Sequence, residues 1–440
     1  MHDVLDPREL VTAELDQCRE SGRDLGELEP LALAALETGS GPELARVLDM
    51  LADAPRLAGW AHDEPSTLTE IEGLLPEPTD SRAPSLGDEV FADRVRAAWL
   101  GRCAGCVLGK PVEGWSRDAI RSFLQLEDAY PLADYFPQPG ASRNGFVMRD
   151  CWPETTRGGI EFVARDDDID YTILGLHILE EHGAGFGPAD VGREWLDHLP
   201  FSRVYTAERA AYRNLLQGFA PPETATHRNP YREWIGAQIR ADVWGYVSPG
   251  QPRRAARLAF QDASLSHTAN GIYGAMWAAG LIAICFVATD LATALRESLS
   301  LVPPRARLAD ALRLVLDLRT AGLDWESARD RLETELGHYS FVHTVNNAAS
   351  VAAALLWGED DYTRTIGLAV QAGWDTDCNG ATAGSAFGAK HGTAGLPSSW
   401  TDPLNDHIRS AIFDFDHSRI SELAERTAAL RLDEVLAPTG

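Results

Sequence analysis

Three consecutive carboxylates, Asp166, Asp167 and Asp168, open an apolar stretch that reads ARDDDIDYT. Far downstream, Asp375 and Asp377 stand at i and i+2 in GWDTDCNG, again just ahead of small apolar residues. Carboxylates packed this closely repel one another unless protons or a cation intervene, and hard divalent ions such as Mg²⁺, Mn²⁺ or Ca²⁺ take several oxygen ligands. Two ions bridged by such groups could hold and polarise a substrate oxygen or a water. An Asp at a helix start also caps free N–H groups and suits the helix dipole, so one acidic cluster alone is more simply a solvated helix end. Two clusters, with His, Asn and Gly segments nearby, make a shared metal site the competing reading.

The elements that must position these groups read as helices. The first cluster leads into Ile173, Leu174, Ile178 and Leu179, and Gly183 caps that run. The second leads into Gly380, Gly384 and Gly388, spaced so that another helix can approach closely and hold Asp375 and Asp377 rigidly. From Phe91 to Trp115, FADRVRAAWLGRCAGCVLGKPVEGW predicts a helix with a small-residue second half, ended by Gly109 and Pro111. Glu113 follows in the loop, either solvated or within reach of a neighbouring metal centre. Residues 120–160 are rich in Pro and Gly and predict a loop that could form a flap. Helical patterns resume through Trp195, Leu196 and Leu199 and through Ile235 to Asp242, where Arg240 and Asp242, beside Trp244 and Tyr246, predict an ion pair or a substrate contact. His267 and Asn270 stand at the mouth of an uncharged helix, and His343, Asn346 and Asn347 open another. A lone His in such a place is more often a hydrogen-bonded structural residue.

Residues 1–75 predict a separate helical extension, with Leu44, Val47, Leu48 and Leu51 on one face and a capping box over Thr67 to Glu70. A linker over 76–89 and a main domain over 90–440 follow. Strand signals are sparse, so the predicted class is an all-α, compact multi-helix bundle. With 440 residues the chain can bury a sizeable core, and a net charge of −27 with a pI near 4.8 excludes sequence-independent nucleic-acid binding and docking to an anionic membrane. Lysine occurs only at Lys110 and Lys390, both inside motif-bearing stretches. Six cysteines and a start without basic or apolar character predict a reducing, cytoplasmic setting. Cys103 and Cys106 form a lone CxxC with no second pair, which fits helix packing better than structural zinc. Gly271 to Thr289 is uncharged, but it is Gly/Ala-rich and runs straight into Asp290, which predicts a helix buried on all sides instead of a membrane span. No phosphate loop, GxSxG elbow or internal repeat is found.

Taken together, GRCAGCVLGKPVEG, ARDDDIDYT, DASLSHTANGIYGAMWAAGLI and AVQAGWDTDCNGATAGSAFGAKHG followed by LPSSW resemble the ADP-ribosylglycohydrolase family in order and spacing, from Phe91 to Trp400. That resemblance implies an all-α fold with two divalent metal ions, usually Mg²⁺ or Mn²⁺, at the bottom of a cleft that receives ADP-ribose. The family's Thr-Asp-Asp motif matches Asp166, Asp167 and Asp168, and its Asp-Thr-Asp-Thr motif matches Asp375, Thr376, Asp377 and Cys378. The implied metal ligands are therefore Asp166, Asp167, Asp168, Asp375, Asp377 and Cys378. Glu113, Asp168 or Asp377 would act as base toward a water attacking an anomeric carbon of oxocarbenium character, with His267, Asn270, Asn346 and Asn347 around the sugar or base. A carboxylate in place of a hydroxyl at Asp166 and a softer thiol at Cys378 imply a preference for Mn²⁺, one firmly held ion, or a different glycoside. The implied substrate is a small molecule or an ADP-ribosylated protein. The alternatives are a glycohydrolase of a small nucleoside or nucleotide, and a non-catalytic ADP-ribose-binding or structural relative.

Overall fold

The computed structural model describes residues 5–77, 86–139 and 145–432, and among these the chain is helical, with isolated bridges in place of strands. The all-α expectation therefore holds. Four helices lie within residues 5–77: α1 (Pro7–Glu20), α2 (Leu28–Thr38), α3 (Gly41–Ala52) and α4 (Leu68–Leu74). The apolar face of α3 is buried as its spacing requires, through Leu44, Val47, Leu48 and Leu51. Thr67 caps α4, its hydroxyl oxygen accepting from the Glu70 amide and donating to the Glu70 carboxylate at 2.5 Å.

Helices α1, α2 and α3 share a small apolar core that closes on Ala207, Tyr231 and Trp234 of the main body, whereas Ile71 of α4 joins the large core. Buried ion pairs reinforce that contact. Glu14 pairs with Arg232 at 2.7 Å, Glu64 with Arg307 at 2.9 Å, and Gln17 donates to Glu233 at 2.6 Å. The linker expected over 76–89 falls mostly on 78–85, outside the described residues, and by Asp88 the next helix has begun.

The main body runs through α5 (Asp88–Gly109), α6 (Arg117–Leu126), α7 (Asp167–His182), α8 (Pro188–His198), α9 (Thr206–Leu216), α10 (Pro252–Ala263) and α11 (Ala269–Cys285). It continues with α12 (Leu291–Ser298), α13 (Arg307–Thr320), α14 (Trp325–Leu336), α15 (Thr344–Trp357), α16 (Tyr362–Gln371), α17 (Thr376–His391) and α18 (Ile420–Ala429). Every residue of α11 is buried, as its uncharged composition requires, and no helix of the described residues is long and apolar enough to cross a membrane.

Helix α17 lies antiparallel against α5 with backbone touching backbone. A Cβ built on Gly384 would lie 2.1 Å from the Gly101 carbonyl oxygen, and one on Gly105 would lie 2.0 Å from that of Gly380. The glycine spacing on α17 is thus answered by Gly101, Gly105 and Gly109 on α5, and this contact brings the end of α5 to the head of α17.

Two local expectations need correction. The 120–160 stretch is not loop from its start, because α6 runs to Leu126 with Ser116 accepting from the Ala119 amide and Ile120, Phe123 and Leu124 buried. Capping and helical spacing decide that segment, and the Pro and Gly residues act only beyond it. Nor do Ile235 to Asp242 form one helix: a 3-10 turn (Ile235–Ala237) and a one-turn helix (Asp242–Tyr246) replace it. Arg240 and Asp242 do not pair with each other. Arg240 binds Glu208 and Asp262, while Asp242 binds Arg102 at 2.7 Å.

Candidate metal centre

Asp166 occupies the N-cap of α7 in extended backbone, and its Oδ1 accepts from the Asp168 amide at 2.9 Å. Asp168 follows in the first turn. At the other cluster Asp375 holds the N-cap position of α17 yet makes no side-chain cap bond, so its carboxylate is not used by the helix. The turn before it is held in place. Gly373 and Trp374 have φ of +76° and +62°, and Arg329 lies 3.9 Å from the centre of the Trp374 ring while donating to the Ala372 carbonyl. Thr376 Oγ1 donates to the Gly109 carbonyl at 2.8 Å, which ties α17 to the end of α5.

With both helix heads fixed in this way, the distant acidic segments meet. One donor atom each from Asp166, Asp168 and Asp377 lie within 4.8 Å of one another, and so do donors from Asp375, Asp377 and Cys378. An ion bound through oxygens at about 2.0–2.5 Å spans gaps of that size.

Four basic residues reach this region. Lys110 Nζ donates to Asp166 Oδ2, and the fully buried Arg102 sets its guanidinium 3.3 Å from Asp168 Oδ1 and 2.7 Å from the Asp168 carbonyl. Arg149 pairs with Glu113 at 2.6 Å, and Arg165 with Asp170 at 2.7 Å. Burial opposes ionisation of Asp166, but Lys110, with Arg165 and the Asp168 amide, holds its carboxyl below the ordinary value. The rest of the cluster goes the other way. Burial first, then Asp166, pushes Asp168 well up and brings the half-buried Asp167 to about 7. Burial, then Asp377 and Glu113, raises Asp375, while burial, then Glu113 and Asp166, raises Asp377.

The Cys378 thiol is likewise raised by burial and donates to Asp168 Oδ2 at 3.2 Å. Asp377 is only 4% exposed, and its Oδ1 accepts no hydrogen bond. Crowded buried acids with an unused oxygen suit a hard divalent cation, whose charge would relieve the repulsion and allow the carboxylates to ionise.

The remaining expected residues separate into two groups. Asn347 borders the centre, its Oδ1 accepting from the Asp375 amide at 3.2 Å and from Asn379 at 2.8 Å. Its neighbour Asn346 donates to the Ser340 carbonyl and keeps a buried oxygen without a partner. Glu113 lies outside the convergent donor sets, and its charge acts on Asp375 and Asp377. His267 and Asn270 belong to other buried networks. His267 shares a hydrogen bond with Ser266 at 2.8 Å beside Arg240 and Glu208. Asn270 donates to Glu64 and Glu233, both at 2.8 Å, and accepts from the Leu308 amide at 3.0 Å.

Sequence reasoning missed Arg102 and Lys110. Arg102 carried a usable signal, a charge embedded among small apolar residues in AAWLGRCAGCVLG, which must find buried partners. Lys110 carried its rarity and its place directly after the glycine-spaced face.

The profile of the ADP-ribosylglycohydrolase family matches residues 88–435. No curated protein matches the chain. Among solved structures, one described as an ADP-ribosylglycohydrolase-related protein complex is similar at 20% identity with a TM-score of 0.44, over 78% of this chain and 98% of that one.

Proposed function

Because this chain belongs to the ADP-ribosylglycohydrolase family, a family of glycosylase-type hydrolases, we propose that it hydrolyses the glycosidic bond of an ADP-ribosyl or related ribosyl group with the help of Mg²⁺ or Mn²⁺. The observation that carries this is the convergence of donors from Asp166, Asp168 and Asp377, and from Asp375, Asp377 and Cys378, beside an Asp377 oxygen without a partner. Asp375 and Asp377 would hold the cation, with Asp166, Asp167, Asp168 and Cys378 around it; the resemblance implies a pair of ions. A bound divalent ion supplies Lewis-acid polarisation of substrate hydroxyls and water.

The chain's own groups do the rest. Asp168 is tied down by Arg102 and Cys378, so Asp377 and the partly exposed Glu113 are the better placed acceptors for a proton from the attacking water. Asn347 steadies Asp375 through its backbone amide. The buried, unpartnered oxygen of Asn346 would accept from a sugar hydroxyl or a base amine. The purified chain, supplied with Mn²⁺ or Mg²⁺ and a panel of ADP-ribosylated peptides, nucleosides and nucleotides, should release ADP-ribose or a ribosyl product resolved by chromatography. No release from any of them would refute the proposal.

A second reading is a small N-glycoside as substrate. Its support is the departure from the family's motifs, a carboxylate at Asp166 and a thiol at Cys378 where the family carries hydroxyls. Much faster turnover of ADP-ribosylated protein than of any nucleoside or nucleotide would count against it.

A further inference from the structure

One cation at the acidic centre is supplied by the chain itself. Lys110 follows Gly109, where an added Cβ would lie 2.2 Å from the Thr376 carbonyl oxygen and 2.3 Å from the Asp377 amide nitrogen. So close an approach delivers the lysine to the head of α17. Its side chain is 15% exposed, its ammonium donates to Asp166 Oδ2, and its charge also acts on Asp377.

On the α7 side, two carboxylates have both oxygens in hydrogen bonds. Asp166 gives Oδ1 to the Asp168 amide and Oδ2 to Lys110. Asp168 divides its oxygens between Arg102 and the Cys378 thiol. A buried oxygen without a donor, Asp377 Oδ1, is on the α17 side, where donors of Asp375, Asp377 and Cys378 gather within 4.8 Å.

We propose that the Lys110 ammonium is a resident cation standing where a second divalent ion would bridge Asp166 and Asp377, so that the chain takes up one divalent ion, held mainly by Asp375 and Asp377. This rests on the metal-centre assignment made above. A second divalent ion there would be pressed against the largely buried Lys110 ammonium, where low dielectric makes like charges costly. Lys110 is on this account a positioning residue: it fixes Asp166 and confines the exchangeable ion to one place.

The test is a Mn²⁺ titration of the metal-stripped full chain, followed by calorimetry and by electron paramagnetic resonance. The unaltered chain should take one Mn²⁺ and give the six-line spectrum of an isolated ion. Lys110→Met should take a second Mn²⁺ in the same concentration range and give an exchange-coupled spectrum. Lys110→Arg, which keeps the charge, should remain at one. Two ions in the unaltered chain would overturn the resident-cation proposal and leave the metal centre standing, whereas none would overturn the metal centre itself. A Lys110→Met chain with an unchanged melting profile that still takes one ion would also overturn it. Should Lys110→Met fail to fold, the stoichiometries of the unaltered chain and of Lys110→Arg decide.

Discussion

Gly384→Ala is the sharpest test of how the fold builds the site. The added Cβ would lie 2.1 Å from the Gly101 carbonyl oxygen and 2.7 Å from its carbonyl carbon, both backbone atoms that no rotamer change can move aside. Ordinary contact begins at 3.4 Å, so α5 and α17 must separate there by about 1.3 Å. The separation cannot stay local. Gly380 and Gly388 make the same kind of backbone contact with Gly105 and Ala97, four residues to either side.

Overpacking of this kind costs about 1–3 kcal/mol, and more where nothing can yield. At roughly 2–4 °C per kcal/mol, a lowering of the melting temperature by several degrees is expected. The same shift displaces the head of α17, and a site that must hold its ligands within roughly 0.5 Å loses affinity when Asp375 and Asp377 move off register. Calorimetric melting with and without Mn²⁺, beside a Mn²⁺ titration, measures both effects. Gly73→Ala on α4 is the control, because nothing lies within 4 Å of its added Cβ. That change should be neutral or stabilising by up to about 1 kcal/mol. If Gly384→Ala melts and binds Mn²⁺ as the unaltered chain does, the backbone contact does not position the site.

Three further predictions test other parts of the structure. Asp377→Asn removes a carboxylate with a bare buried oxygen and should weaken Mn²⁺ binding at least tenfold in a titration, about 1.4 kcal/mol, while the amide sheds like-charge repulsion and leaves the metal-free chain no less stable; unchanged binding would refute its role. Arg307→Met leaves Glu64 and Glu233 buried without their partner at 2.9 and 2.5 Å, so a loss of about 3–5 kcal/mol and easier proteolytic release of residues 1–75 are expected, and an unchanged digestion pattern would count against the anchoring. Glu20 is pushed up to about 8 by burial and by Glu233. The folded chain therefore keeps a proton that the unfolded chain has released, so this contribution is whole below pH 4.5, is lost as pH rises toward about 8, and is flat above that. Glu20→Gln should remove that slope and raise stability at pH 8 by a few kcal/mol, and parallel pH profiles of melting temperature for the two chains would refute it.

The amino-acid sequence by itself determined the helical class, the buried face of α3, the buried helix α11, the glycine-spaced face of α17 and the two acidic clusters as helix heads. Periodicity, capping and side-chain volume are local properties, readable over a few turns. It also carried the family resemblance, since motifs keep their order along the chain.

Only the tertiary structure decided who meets whom. It set Arg102 between Asp168 and Asp242, paired Arg240 with Glu208 and Asp262 instead of Asp242, spent Asn270 on Glu64 and Glu233, and laid Lys110 against Asp166. A buried charge must find a partner, but its own segment does not name one. The partner is selected by how whole helices pack, through backbone contacts such as Gly101 on Gly384 that lie far apart in the chain. The meeting of Asp166 and Asp168 with Asp377 is a product of that packing, because only the fit of α5, α7 and α17 brings the three carboxylates within reach of one ion.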